Sequence, residues 1–273
     1  MERASPVGQL LLILACAGAT VASALRLLGV AVPGVVLVAL LVAVVALVGL
    51  GIGRIGAGVF GRPILSLRAD RAGDRLAITF DDGPDPLTTP ALLDLLERRG
   101  HRGTFFVIGR RAAEHPALLA EIARRGHGLG NHSFAHSWLG PARGPAALRA
   151  DLDSAAATLE QATGARPRFY RPPMGILSPP VASMARQAGV EVVGWSTSAK
   201  DGIASATVAG SLRRLRRGLR PGAILVLHDG AERGDRRPIA TALLPLLLDE
   251  IEARGLRSVT LDELLPPGLG EQA

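Results

Sequence analysis

Hydrophobic positions along this chain follow two different patterns. From Val7 to Leu25, and again from Gly34 to Ile52, apolar residues run without a charge. Each run is about 19 residues, roughly 28 Å as helix and long enough to cross a bilayer. Arg26 and Pro33 mark a short turn between them, so the expectation is a membrane hairpin over about 7–25 and 34–52. The alternative is a signal peptide, because "VASA" ends the first run on a small-x-small pattern, although the basic region before it is only Arg3 beside Glu2.

From Arg75 the pattern becomes one repeated unit: a short apolar strand, a turn, an amphipathic helix and a glycine that stops it. The stops fall at Gly100, Gly126, Gly164, Gly189, Gly218 and Gly255, several preceded by arginines that suit the negative end of a helix dipole. Together with "RLAITF" they predict seven strands, near 75–80, 104–108, 127–131, 167–171, 190–195, 223–227 and 257–260. Alternating strand and helix call for a parallel sheet covered by helices, either a seven-stranded barrel or an open doubly wound sheet. No G-x-G-x-x-G follows the first strand, which weakens a dinucleotide-binding version. The expected organisation is a two-helix anchor over 1–56, a linker over 57–74, a catalytic domain over 75–265 and a tail over 266–273.

Charge changes the picture in two ways. The formal net charge is +7, but the arginines are spread along helices and aromatics make up only 3% of residues, so nucleic-acid binding is not expected. Arg3, Arg54, Arg62, Arg68 and Arg71 flank the outer ends of the two apolar runs, against Arg26 alone in the turn. The positive-inside rule therefore leans toward a cytoplasmic domain. A single cysteine, Cys16, excludes an intramolecular disulfide and a cysteine-built zinc cluster, and reads as a membrane-buried thiol.

Chemistry in parallel α/β folds gathers where strands end. Asp81 and Asp82 end the first predicted strand, and Asn131 and His132 the third, with His136 four residues on. Tyr170 and Arg171 end the fourth, Trp195 the fifth with Asp201 beyond, and His228 and Asp229 the sixth. One helical turn would put His132 and His136 on one face. With a carboxylate they make a two-histidine, one-carboxylate metal set. One of the two aspartates can then bind the cation while the other accepts a proton from water. Arg171, stiffened by two prolines, can hold the second carboxylate, and His228 can protonate a leaving group. Asp85, in "GPDP", reads as a turn residue.

"TFDDGP", "HSFAH", "RPPMG" and "LVLHD", in this order and spacing, resemble four of the five signature motifs of the polysaccharide deacetylase family, the NodB-homology esterases of carbohydrate esterase family 4. The resemblance spans about residues 75–262 and implies a distorted (β/α)7 barrel. It further implies Asp81 as general base, Asp82, His132 and His136 as ligands of a divalent metal (commonly zinc), Arg171 orienting Asp81, and His228 as general acid. The reaction implied is removal of an N-acetyl group from an amino-sugar polymer, with a backbone N–H near Met174 assisting. Substrate contacts are expected at Pro172, Met174, Gly175, Trp195 and Leu227.

The fifth motif departs, reading "GWSTSAKDG": Asp201 is kept, Gly202 replaces a pocket-wall tryptophan, and Ser198 stands where an acidic partner of His228 is expected. Asp201 or Asp229 can take that part. The partners implied are an N-acetylated glycan or a lipid-linked sugar, and the bilayer of a bacterial-type cell membrane. A deformylase of a polyprenyl-phosphate-linked amino sugar would suit a cytoplasmic domain, whereas a cell-wall deacetylase faces outward, so the sequence leaves the side open. A barrel that binds glycan without hydrolysing it is the reading from another functional class.

Overall fold

The computed structural model of the chain describes residues 1–230 and 238–267, so residues 268–273 of the expected tail lie outside the described residues. Strand β1 (Glu2–Arg3) leads into helices α1 (Val7–Leu27) and α2 (Gly34–Gly53), which pack on each other. Both are long and apolar enough to cross a membrane, and almost none of either is buried in the protein.

The segment expected to be a linker is part of the folded body. Strand β2 (Ile64–Ser66) pairs antiparallel with β1, Glu2 opposite Ser66 and Arg3 opposite Ile64. Val59, Ile64, Leu67 and Ala72 are buried. The Glu2 carboxylate accepts hydrogen bonds from the Ser66 hydroxyl and from Arg220, and Arg3 lies 3.6 Å from Glu191. A tether of these apolar residues would leave them in water, and burying them is worth about 1.5–3 kcal/mol for each large side chain.

Seven strands then build one curled parallel sheet: β3 (Arg75–Asp81), β4 (Gly103–Val107), β5 (Gly128–Asn131), β6 (Phe169–Tyr170), β7 (Glu191–Val192), β8 (Thr197–Ser198) and β9 (Ile224–His228). Their spatial order is β7-β6-β5-β4-β3-β9-β8, and β10 (Arg257–Ser258) pairs with the start of β3. The outermost strands, β7 and β8, are consecutive in sequence and joined only by 193–196, which bends the sheet toward a distorted barrel with helices outside. β8 is one strand more than the hydrophobic pattern predicts, because "TS" carries no apolar signal and is recruited by pairing with Leu225 and Val226. The main core lies between sheet and helices, where Phe80 and Phe105 stack with centroids 4.8 Å apart.

Register aligns the strand ends. Asp81 is paired with both Phe106 and His228, Val107 with Asn131, and Asn131 with Tyr170. Polar residues at the carboxyl ends of five strands are thereby set on one rim.

One core group reports on acidity. His127 is 6% exposed, its Nδ1 accepts the Gly103 N–H, and its Nε2 has no partner among the described residues. Burial, then the charges of Arg125 and Arg102, push its pKa down to about 4. A neutral imidazole is thus required by the fold, and stability is fully present above about pH 6.5. It is expected to fall, by at most about 3 kcal/mol, as pH drops from there toward 4. In His127→Asn, whose Oδ1 can accept the same N–H, urea unfolding across that range should lose this component.

Candidate active site

Asp81 and Asp82 would point to opposite faces if β3 continued straight. The chain instead turns at Asp82 itself, whose φ of 73° lies in the left-handed region, and both carboxylates reach one groove. The turn is held from outside by Arg111, which donates to the Asp82 carbonyl. Asp85 caps the following loop through its Oδ1, which accepts from the N–H groups of Leu87 and Thr88. Gly83 packs on the buried Asp229 carboxylate, and an added Cβ would lie 2.0 Å from Asp229 Oδ2. Gly83→Ala is therefore expected to shift the Asp82 turn and lower both stability, by about 1–3 kcal/mol, and activity. An unfolding midpoint matching the parent would contradict this.

His132 and His136 are brought together by a loop, not by the helical turn their spacing suggested. Ser133 and His136 have φ of 67° and 47°, which no α-helix contains. The loop is tied by polar side chains. Asn131 Oδ1 accepts from Ser133 N–H at 2.8 Å, Ser133 Oγ from His136 N–H at 2.9 Å, and Asp151 from the N–H groups of Phe134 and Ala135.

His132 Nδ1 lies 2.8 Å from the Arg171 carbonyl, to which it donates, leaving Nε2 with its lone pair toward Asp82. Asp82 Oδ1 is 3.4 Å from His132 Nε2 and 3.2 Å from His136 Nε2, and has no hydrogen-bond partner among the described residues. All three ligand atoms lie within 4.8 Å of one another and are buried. Bonds of about 2.0–2.1 Å at tetrahedral angles separate ligand atoms by roughly 3.3–3.4 Å. The donor set and its spacing thus fit a divalent cation. Burial raises the Asp82 pKa, but the adjacent His132 imidazole, with the charges of His228 and His136, outweighs it and holds it at about 2. Burial pushes His136 down to about 4.

Arg171 is fully buried, stacked 4.0 Å over the Phe106 ring. Its NH1 donates to Asp81 Oδ1 at 2.6 Å and to Thr79 Oγ1 at 2.8 Å, its Nε to the Val193 carbonyl and its NH2 to the Gly194 carbonyl. Thr79 escaped the sequence reading. Its spacing of two residues from Asp81, hence the same strand face, was the available signal.

His228, across β3 from Asp81, pairs through Nδ1 with Asp201 Oδ1 at 2.8 Å, and its backbone N–H donates to Asp201 Oδ2 at 2.9 Å. Asp201, not Ser198, is thus its acidic partner. Ser198 Oγ instead accepts the Lys200 N–H at 3.1 Å. Burial opposes charge on His228, yet Asp201 first, then Asp82 and Asp81, raise its pKa to about 10. Asp229 is fully buried, and its Oδ2 accepts from the Thr89 hydroxyl at 2.6 Å. Burial, with Asp82 and Asp81 nearby, pushes it up to about 7.

Asp81, Asp82, His132, His136, Asp201 and His228 line an open groove of about 930 Å³, together with Met174, Gly175, Trp195, Lys200 and Trp138. Two expected substrate contacts are elsewhere. Leu227 is fully buried in the core behind the sheet, because alternate strand residues face opposite sides, and Val226 lines the groove in its place. Pro172 lines a separate cavity of about 20 Å³ with Tyr170 and Asp151.

Comparison with known proteins identifies the family. The family model for polysaccharide deacetylase matches residues 68–193. A peptidoglycan-N-acetylglucosamine deacetylase of Bacillus cereus is 35% identical over 192 residues, covering 70% of this chain and 87% of that protein. The chain belongs to the polysaccharide deacetylase family. A chitooligosaccharide deacetylase of Bradyrhizobium is 33% identical, over 74% of this deacetylase chain and 97% of its relative. Among solved structures, a family 4 acetyl xylan esterase from Clostridium thermocellum, determined with a cobalt ion, is 30% identical with a TM-score of 0.63, covering 70% and 89% of the two chains. A peptidoglycan N-acetylglucosamine deacetylase is 26% identical with a TM-score of 0.66, covering 74% and 91%. The chain is a hydrolase of this deacetylase class, and its curled parallel sheet is the family's fold.

Proposed function

We propose that this protein is a membrane-anchored, metal-dependent amide hydrolase that removes N-acetyl groups from an N-acetylglucosamine-containing glycan of the cell wall. The observation that carries the reading is the convergence of three kinds of group on one groove: the Asp82–His132–His136 set, the Asp81–Arg171 pair and the His228–Asp201 pair.

Asp82, His132 and His136 would hold the cation, most simply zinc, which when bound polarises the acyl oxygen and acidifies water. Asp81 accepts the proton of the attacking water. Arg171, anchored on Thr79 and two carbonyls, fixes Asp81 and offsets its charge. His228 carries a proton at Nε2 for the departing amine, while Asp201 fixes the ring through Nδ1 and keeps it cationic. In this scheme Asp201→Asn removes a carboxylate that favours the imidazolium, so the alkaline limb of the rate profile is expected at lower pH than in the parent. A limb at unchanged pH would assign the acid step elsewhere.

The anchor reading is supported by β1. If α1 were cut at "VASA" as a signal peptide, Glu2 and Arg3 would be lost and β2 would lose its partner. In this reading α1 and α2 span a bacterial-type membrane, residues 1–56 form the anchor and 75–265 the catalytic domain, with 57–74 packed onto it. Protease access in intact cells and spheroplasts tests the side.

The function is tested by supplying the full chain, in detergent and with zinc, with N-acetylglucosamine oligomers and peptidoglycan. Acetate release is expected, and none from either would overturn the reading. The adjoining spanning-length helices favour a second arm, a lipid-linked formylated amino sugar, whose release of formate would select a deformylase. Binding of glycan with no product from any arm would select the non-catalytic barrel.

A further inference from the structure

Lys200 is the only lysine in the chain, and every other basic residue is arginine. It lies in the segment that departs from the family pattern, lines the groove and is exposed. Its φ of 53° is a left-handed conformation disfavoured for a long side chain. The strain is held by Ser198, whose hydroxyl accepts the Lys200 N–H. Strained residues held by their surroundings concentrate at ligand sites.

The charges of the groove show what this lysine is free to do. Asp81 is offset by Arg171, Asp201 is bonded to His228, and Asp82 faces the two histidines at the cation set. Among the described residues, each groove carboxylate therefore has a cationic partner or a cation site without Lys200. The Lys200 ammonium forms no ion pair with a described residue. Its neighbour Gly202 presents no side chain toward the His228 ring, which an added Cβ would meet at 3.4 Å. Trp138, about half exposed, lines the same groove and offers an aromatic face to a sugar ring.

We propose that Lys200 is a specificity-determining residue that binds an anionic group, a carboxylate or a phosphate, carried next to the acylated amino sugar. The inference rests on the groove being a glycan site and deepens the proposed function. A neutral homopolymer of N-acetylglucosamine would add no counter-charge to the ammonium, which has none among the described residues. A polymer whose alternate sugars bear a carboxylate would supply one, as would a phosphate at the reducing end of a lipid-linked sugar.

The test measures binding to the full chain in detergent, stripped of metal with a chelator so that no ligand is turned over. Three ligands are titrated at low salt: a neutral N-acetylglucosamine tetramer, a tetramer whose alternate sugars carry a lactyl carboxylate, and N-acetylglucosamine 1-phosphate against free N-acetylglucosamine. One anionic ligand is expected to bind at least about tenfold tighter than its neutral counterpart, and to lose that preference as salt rises. Lys200→Asn, which tolerates the left-handed backbone, should reduce the preference to within about twofold, and Lys200→Arg should keep most of it. Preference for the carboxylate points to a polymer, and for the phosphate to a lipid-linked sugar. Equal affinities, no binding by any ligand, or a preference that survives in Lys200→Asn would overturn the proposal. A charge preference abolished by Lys200→Asn in a protein that releases no acetate or formate would remove the catalytic reading and leave this one standing.

Discussion

Asp81→Asn is expected to lower kcat by about 10²–10⁴ while the protein still takes up its metal. The substitution keeps an oxygen that can accept from Arg171, and removes only the negative charge and the capacity to take a proton. Asp81 is not among the three convergent ligand atoms, so metal content measured by elemental analysis should be unchanged. The same analysis of Asp82→Asn should show metal lost together with rate. If Asp81→Asn retained a kcat within tenfold of the parent, or lost its metal, the two aspartates would have to exchange roles.

The second large effect is on stability. Arg171→Met removes the guanidinium that is hydrogen-bonded to Asp81 and leaves that carboxylate in a nearly closed environment. Breaking a buried pair from one side costs about 3–5 kcal/mol. The deficit should shrink in the double variant with Asp81→Asn, which removes the stranded charge. Urea unfolding of both variants checks the pair as a unit. A double variant as unstable as Arg171→Met alone would mean that Arg171 acts mainly by packing on Phe106.

What the sequence made legible follows from what kind of signal each feature leaves. Strand ends were legible because apolar runs stop at polar residues, and parallel register then lines those ends up without further information. Asp81, Asp82, His132, His136, Arg171 and His228 were gathered on one rim by that rule alone. The means of gathering was less visible. Nothing in "NHSFAH" announces that Ser133 and His136 are left-handed, since that conformation is sustained by Asn131 and by Asp151, 15 residues beyond His136.

The sequence leaves the partner of His228 open between Asp201 and Asp229, because Ser198 occupies the expected acidic position, and the loop after β8 decides that Asp201 reaches the ring. Leu227, a contact implied by the family resemblance, adjoins His228 in sequence, but strand alternation gives the groove to Val226. The supposed linker hid its packing because the few residues of β1 carry no hydrophobic pattern of their own.

That small strand pair has a consequence for how the protein is made. Ile64 leaves the ribosome about sixty residues after its partner Arg3, with both apolar helices between them. If α1 and α2 span a membrane as proposed, the pair can close only after they are inserted, and only if both flanks have been delivered to the same compartment. An insertion error that left one flank behind would leave Glu2, Arg3 and the edge of β2 without partners. Such a product would carry an exposed strand edge, a template for aggregation, so in the membrane-anchored reading the pairing would act as a check on topology during biogenesis.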